Sequence, residues 1–218
     1  MGEIQSDSSG WRISEWFPDI SDSQNKQLKV YFDSFLAANK TFALLPSKYS
    51  TGIDSNLFAD SILSSRIIFK SVSALKEIYD FSGSPGFPGL VMAILYPEVK
   101  VNILAPEAKK FDFLRQTVLV LGLTNVNLIQ KSIEGLPDSS VQVAVIRGVN
   151  TITRNLLNCR KSLTKGGVLF HIKGEEWGLE VSEIPTQLCS IWTPSLVSDY
   201  KLPVGALKFS VVKTDKIQ

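Results

Sequence analysis

Between residues 78 and 172 the chain alternates short apolar segments with amphipathic ones, and this alternation constrains the fold most. Residues 78–81, 99–104, 126–129, 141–146 and 168–172 read as buried strands. Strands apolar on both faces must be covered on both, as in parallel sheets whose crossovers are helices. The intervening segments supply those helices. Pro88 suits a first helical turn and precedes Leu90, Val91 and Ile94. Residues 107–121 place Phe111, Leu114, Val118 and Leu121 on one face, and a further helix spans about 151–162. The expected class is therefore α/β with a mostly parallel sheet.

The flanks read differently. Ser21 or Ser23 caps a helix running to about Lys40, with Leu28, Tyr31, Phe32, Phe35 and Leu36 inward. A second helix follows Asp54, with Leu57, Phe58, Ile62 and Ile67 inward. Residues 1–20 form a loosely ordered lead whose Trp11, Trp16 and Phe17 fold back on the domain. Residues 1–75 are thus a helical extension and residues 76–218 the α/β core, in one compact unit. In the tail, residues 188–192 and 207–212 read as an antiparallel pair at the sheet edge.

Composition narrows the functional classes. Hydrophobic residues make up 44% and charged residues 20%, which supports a sizeable core and argues against disorder. A net charge of +2 permits an RNA partner without demanding one. Cys159 and Cys189 stand alone, without metal-ligand spacing, and read as small buried residues in a reducing compartment. The lone His171 lies in a predicted strand, so no hydrolase triad can be argued around it. Glu3, Asp7, Glu15 and Asp19 interrupt any signal-peptide pattern, and the Gly2/Ser6 match to an acylation motif is short and common by chance. The apolar stretch at 89–95 is too short to span a bilayer. The expectation is a cytoplasmic protein without metal or membrane attachment.

In such sheets ligands bind beyond the carboxyl ends of the strands, where the connections reverse. The first strand-to-helix turn is Asp80-Phe81-Ser82-Gly83-Ser84-Pro85-Gly86-Phe87-Pro88-Gly89. Its glycines allow unusual backbone angles and close approach to a ligand. Arg147 stands at the end of another strand, and Glu134 at a short helix start.

From Asp80 to Gly174 the chain resembles the small-subunit ribosomal RNA methyltransferase G family, also called glucose-inhibited division protein B. The resemblance rests on Gly86-Phe87-Pro88-Gly89, Tyr96-Pro97-Glu98-Val99, Lys109-Lys110 with Phe113-Leu114-Arg115-Gln116, and residues 121–126. Arg147, Lys165-Gly166-Gly167 and Lys173-Gly174 continue it in order. It implies a Rossmann-like S-adenosylmethionine-dependent methyltransferase fold and methylation of a guanine ring nitrogen in small-subunit rRNA. It further implies that Ser82 and Phe87 line the donor turn, Ile133 and Glu134 flank the adenine, and Arg147 lies near the methionine end. Lys109, Lys110, Arg147 and Lys173 are expected to form a basic rim for the rRNA of the small ribosomal subunit.

The chain also departs from the family. Ser82 and Ser84 stand where it has glycines, Ala105 where it has a strand-end acid, and Ser132 where it has a base. Ala43-Leu44-Leu45 and Leu57 replace an Asn-Leu-Thr element and a histidine. A hydrogen bond to a charged group is worth about 1.5–3 kcal/mol, so losing the ribose acceptor at Ala105 weakens cofactor binding. Ser82 and Ser84 add about 1–2 kcal/mol each if the turn requires left-handed angles there. The expectation is weak or absent S-adenosylmethionine binding. The alternative to an active enzyme is a non-catalytic paralogue acting as an RNA- or protein-binding module.

Overall fold

The structure is a computed structural model in which residues 10–46, 52–148 and 150–218 are described. The Gly2/Ser6 motif lies outside these. Helix α1 (Ile13–Trp16) opens the described chain and buries Ile13. Helix α2 (Asp22–Phe42) starts where Ser21 Oγ accepts the Gln24 N–H at 3.3 Å and stops where Ala43 turns left-handed. Its buried stripe is Leu28, Tyr31, Phe32 and Phe35. Leu36, predicted inward, is exposed, so the buried stripe ends at Phe35.

A π-helical stretch, Asp54–Ala59, runs directly into α3 (Asp60–Ser71). This pair buries several polar residues, among them Asp54, Asp60, Ser61, Ser64 and Ser65. Such groups need internal partners. Ser61 and Ser64 donate to the carbonyls of Leu57 (2.6 Å) and Asp60 (2.7 Å). Asp54 accepts two hydrogen bonds from Arg12, at 2.8 and 2.9 Å. Ile68, not Ile67, is the buried member of the adjacent pair.

The core then alternates as the sequence predicts: β1 (Glu77–Asp80), α4 (Gly89–Leu95), β2 (Lys100–Leu104), α5 (Ala108–Leu121), β3 (Val126–Ile129), β4 (Val141–Arg147), α6 (Ile152–Cys159) and β5 (Leu163–Lys173). Short helices α7 (Trp177–Ser182) and α8 (Thr186–Cys189) precede β6 (Trp192–Lys201) and β7 (Lys208–Lys216). The described residues form one seven-stranded sheet in the order β3-β2-β1-β4-β5-β7-β6. Strands β1 to β5 pair in parallel, with Ile78 opposite Val101 and Asp80 opposite Ile103. The last two strands are antiparallel, β7 lying between β5 and β6.

Three sequence expectations are corrected. Residues 188–192 are not a strand: Leu188 lies in α8 and the strand begins at Trp192. Strand β6 is at the sheet edge and largely solvated, so it lacks the apolar run by which a buried strand is recognised. Strand β5 starts at Leu163, before Gly166-Gly167, across a register irregularity against Val141–Val143. Cys189 is exposed, and only Cys159 is buried.

Apolar side chains cover both faces of the sheet. One cluster joins Ile13, Phe17, Tyr31, Phe58 and Ile62 to Ile78, Val101, Val145 and Phe170. The other packs Ile152 and Leu156 of α6 against Phe81, Ile146 and Leu169. No helix among the described residues is long and apolar enough to cross a membrane.

Candidate active site

Strand order reverses between β1 and β4, since β2 and β3 lie to one side and β5 to the other. At the carboxyl ends of these two strands is a cavity of ≈ 390 Å³. That lies within the range of ligand sites and at the position where open α/β sheets bind them. Its lining includes Leu45, Leu57, Phe81, Ser82, Gly83, Ser84, Lys110, Ile133, Ile146, Arg147, Gly148, Asn150 and Asn155.

Asp80 organises the turn at its edge. The carboxylate, fully buried at the end of β1, accepts the N–H of Ser82 at 2.8 Å and the N–H of Gly89 at 2.8 Å. It therefore ties both ends of the turn to one point. Burial pushes the Asp80 carboxyl up to about 6, against hydrogen bonds from Ser82 and Gly89 and the charge of Arg147, which pull it down. Gly89 is required here, because a Cβ would lie 2.7 Å from the Asp80 carboxylate.

The left-handed positions in the turn are Gly83 (φ 58°) and Gly86 (φ 105°), not Ser82 or Ser84. The expected strain at the two serines is therefore not incurred. Both instead contribute hydrogen bonds. Ser82 Oγ accepts the Arg147 N–H at 2.9 Å and joins the turn to β4. Ser84 Oγ accepts the Phe87 N–H (2.8 Å) and donates to the Phe87 carbonyl (2.6 Å). A Cβ on Gly83 would meet nothing within 4 Å, so the backbone there faces open space.

Of the site residues expected from sequence, Ser82, Ile133 and Arg147 meet at the cavity. Phe87 does not line it. Its ring is buried beneath the turn, stacked on Tyr31 (centroids 5.0 Å apart) and edge-on to Phe35 and Phe58. Tyr31 reaches past it to donate to the Pro85 carbonyl at 2.8 Å. Glu134 lines a separate cavity with Leu157, Arg160 and Lys161. Sequence reasoning missed Lys110's reach to the turn, and Leu45, Asn150 and Asn155 altogether. These come from three distant segments, around residues 45, 110 and 150–155, and no local pattern brings them together.

The basic rim is weaker than predicted. Arg147 forms an ion pair with the buried Asp60 and donates to the Asn56 carbonyl at 2.7 Å. Lys173 is buried and pairs with Glu180 at 2.7 Å. Lys110 pairs with Glu107 at 2.7 Å and donates to the Gly83 carbonyl at 3.1 Å. Of the four cations, Lys109 is the exposed one.

The cavity suits an adenosyl ligand in most respects. Its turn presents open backbone at Gly83, and Leu57, Phe81, Ile133 and Ile146 give it apolar walls. One element is missing: no carboxylate lines it among the described residues. Ala105 is fully buried, and Glu107 is engaged by Lys110. No group of three or more potential metal ligands occurs among the described residues. His171 is fully buried between Thr214 (3.0 Å) and Asn155 (3.4 Å), and burial pulls its imidazole down to about 3.

Comparison with known proteins identifies the family and the fold. The model of the family described as rRNA small subunit methyltransferase G matches residues 24–193. Among curated proteins, ribosomal RNA small subunit methyltransferase G 3 of Bdellovibrio bacteriovorus is 48% identical, covering 95% of this chain and 94% of that protein. Ribosomal RNA small subunit methyltransferase G of Halorhodospira halophila is 30% identical over 75% of this chain and 76% of its own. Among solved structures, the YcgJ protein of Bacillus subtilis matches with a TM-score of 0.55 at 12% identity, over 72% of this chain and 99% of that one. Pyrococcus horikoshii TYW2 in complex with MeSAdo matches with a TM-score of 0.54 at 10% identity, over 74% and 63%. These two structures support the fold alone.

Proposed function

Because the chain belongs to the rRNA small subunit methyltransferase G family, we propose that it transfers a methyl group from S-adenosylmethionine to a guanine ring nitrogen of small-subunit rRNA. The observation that carries this reading is the cavity at the β1/β4 reversal, edged by a turn that Asp80 pins at both ends. When bound, the cofactor supplies an electrophilic methyl group, and a guanine ring nitrogen with a free lone pair accepts it without a general base. The chain's work is then to position the two. Ser82 and the open backbone at Gly83 hold the donor side, and Ile133, followed by Glu134 in the same short turn, walls the adenine. Arg147 closes the methionine end through its bond to Ser82, and Phe87 supports the turn from beneath. The proposed setting is the cytoplasm, where small ribosomal subunits are found.

One observation favours a second reading, a paralogue with reduced cofactor affinity that binds RNA or protein: no carboxylate lines the cavity among the described residues. A single experiment separates the two. Small subunits lacking the modification are incubated with the protein and S-adenosylmethionine labelled in its methyl group. Label on a guanine of small-subunit rRNA supports the enzyme. Calorimetric binding without label, or neither, supports the paralogue.

A further inference from the structure

A second polar feature of the cavity lies on α6. Asn155 lines it, is 2% exposed, and its Oδ1 is buried without a hydrogen-bond partner among the described residues. The orientation of its carboxamide follows from a chain of bonds behind it. Thr214 Oγ1 donates its one proton to the Leu169 carbonyl at 3.3 Å. It can therefore only accept from His171 Nε2, 3.0 Å away. A neutral imidazole protonated at Nε2 has its lone pair at Nδ1. That nitrogen faces Asn155 Nδ2 at 3.4 Å and accepts from it. The amide nitrogen is thus committed to the interior, and the carbonyl oxygen is the group left over. Buried carbonyl oxygens are normally bonded, and exceptions call for an explanation.

The surroundings indicate what would satisfy it. Phe81 and Ile146, which line the same cavity, belong to the apolar cluster that packs α6, and Ile133 packs against that cluster. Apolar walls beside an acceptor-only polar group favour a flat heteroaromatic ring carrying an N–H donor. We infer that Asn155 Oδ1 is a positioning acceptor for the exocyclic amino group of the adenine, held in orientation by His171 and Thr214. The inference rests on the cofactor reading proposed above. It makes α6, rather than the strand ends alone, a determinant of which purine enters.

The test measures binding rather than turnover. S-adenosylhomocysteine and its purine analogue lacking the 6-amino group are titrated calorimetrically into the wild-type protein and Asn155→Ala. The wild type is expected to prefer the amino form by about tenfold, as for one well-placed hydrogen bond. In Asn155→Ala the preference should shrink to within about twofold, a change that a purely structural role would not produce. Equal wild-type affinity for the two ligands overturns the inference while leaving the cofactor reading intact. A preference that persists in Asn155→Ala does the same. Failure of both ligands to bind the wild type overturns the inference and the cofactor reading together. If Asn155→Ala does not fold, the near-isosteric Asn155→Leu takes its place in the same two titrations and is read by the same outcomes.

Discussion

Arg147, at the carboxyl end of β4, and Asp60, at the start of α3, form an ion pair across 87 positions of sequence in which the carboxylate is fully buried. Tyr200 of β6 donates to the other Asp60 oxygen. One carboxylate thus joins an N-terminal helix, the end of a central strand and the edge strand. Removing one partner from a buried pair leaves an uncompensated charge and costs about 3–5 kcal/mol. Asp60→Ala is expected to lose stability in that range, and Tyr200→Phe about 1.5–3 kcal/mol, in urea unfolding. A loss below about 1 kcal/mol for Asp60→Ala would mean Arg147 finds water or another acceptor at little cost.

The two left-handed glycines of the turn are expected to differ. A Cβ at Gly86 would lie 2.6 Å from the Tyr31 hydroxyl and 2.8 Å from Leu90, on backbone at φ 105°. Gly86→Ala should therefore cost more than about 3 kcal/mol, as strain and overpacking add. At Gly83 the same atom meets open space, so Gly83→Ala should cost about 1–2 kcal/mol through backbone angle alone. Its methyl group would also enter the space where the ligand approaches, weakening S-adenosylmethionine binding. Similar melting temperatures for the two variants would refute this contrast.

The serines and Ala105 are expected to part company as well. Ala105→Asp should strengthen S-adenosylmethionine binding about tenfold or more by supplying a charged acceptor. It should also lower the melting temperature of the free protein, since Ala105 is fully buried. Ser84→Gly should not improve binding, because it deletes the hydroxyl that bridges both backbone groups of Phe87. Calorimetric titration of each single variant checks this, and a gain in affinity from Ser84→Gly would count against the described turn.

Asp80 should leave a signature in acid. Its folded carboxyl lies at about 6 against an ordinary 3.8, so between these values the folded state holds a proton that the unfolded state has released. Stability from this group is then greatest below pH 4 and declines as pH rises to about 6, by up to about 3 kcal/mol at 1.36 kcal/mol per unit. Other carboxyls titrate in the same window, so the quantity to measure is the unfolding free energy of wild type minus that of Asp80→Asn. That difference should fall between pH 4 and 6.5. A rise over the same range would show that the two N–H donors outweigh burial.

How much of this was legible depends on the range of the interactions. The central parallel strands showed in the sequence because burial on both faces forces near-continuous apolar runs, as at 99–104 and 141–146; β3, at the other sheet edge and only partly buried, showed through Val126, Leu128 and Ile129. Strand β6 did not, because an edge strand can carry Thr193, Ser195, Ser198 and Asp199 without cost. The turn after β1 was visible as glycine and proline in a strand-to-helix connection. Which of its positions are left-handed was not, and the assumption that Ser82 and Ser84 are strained failed for that reason. Asn155 could not be found at all, since its significance lies in a bond chain through His171 and Thr214 that exists only once β5 and β7 pair.

The strand order also has a kinetic consequence. Every pairing among β1 to β5 is parallel, and Tyr79 must find Ala144 before the centre of the sheet exists. Such pairings incur loop-closure entropy before any contact compensates for it, which slows folding. Among the described residues, only the β6–β7 hairpin closes over a short loop. A hairpin that forms early has no edge to dock on until β5 is in place, since β7 is the strand that pairs with it. During that interval the unpaired side of β7 offers Val211 and Val212 and an open ladder to other chains, so refolding yield should fall as protein concentration rises.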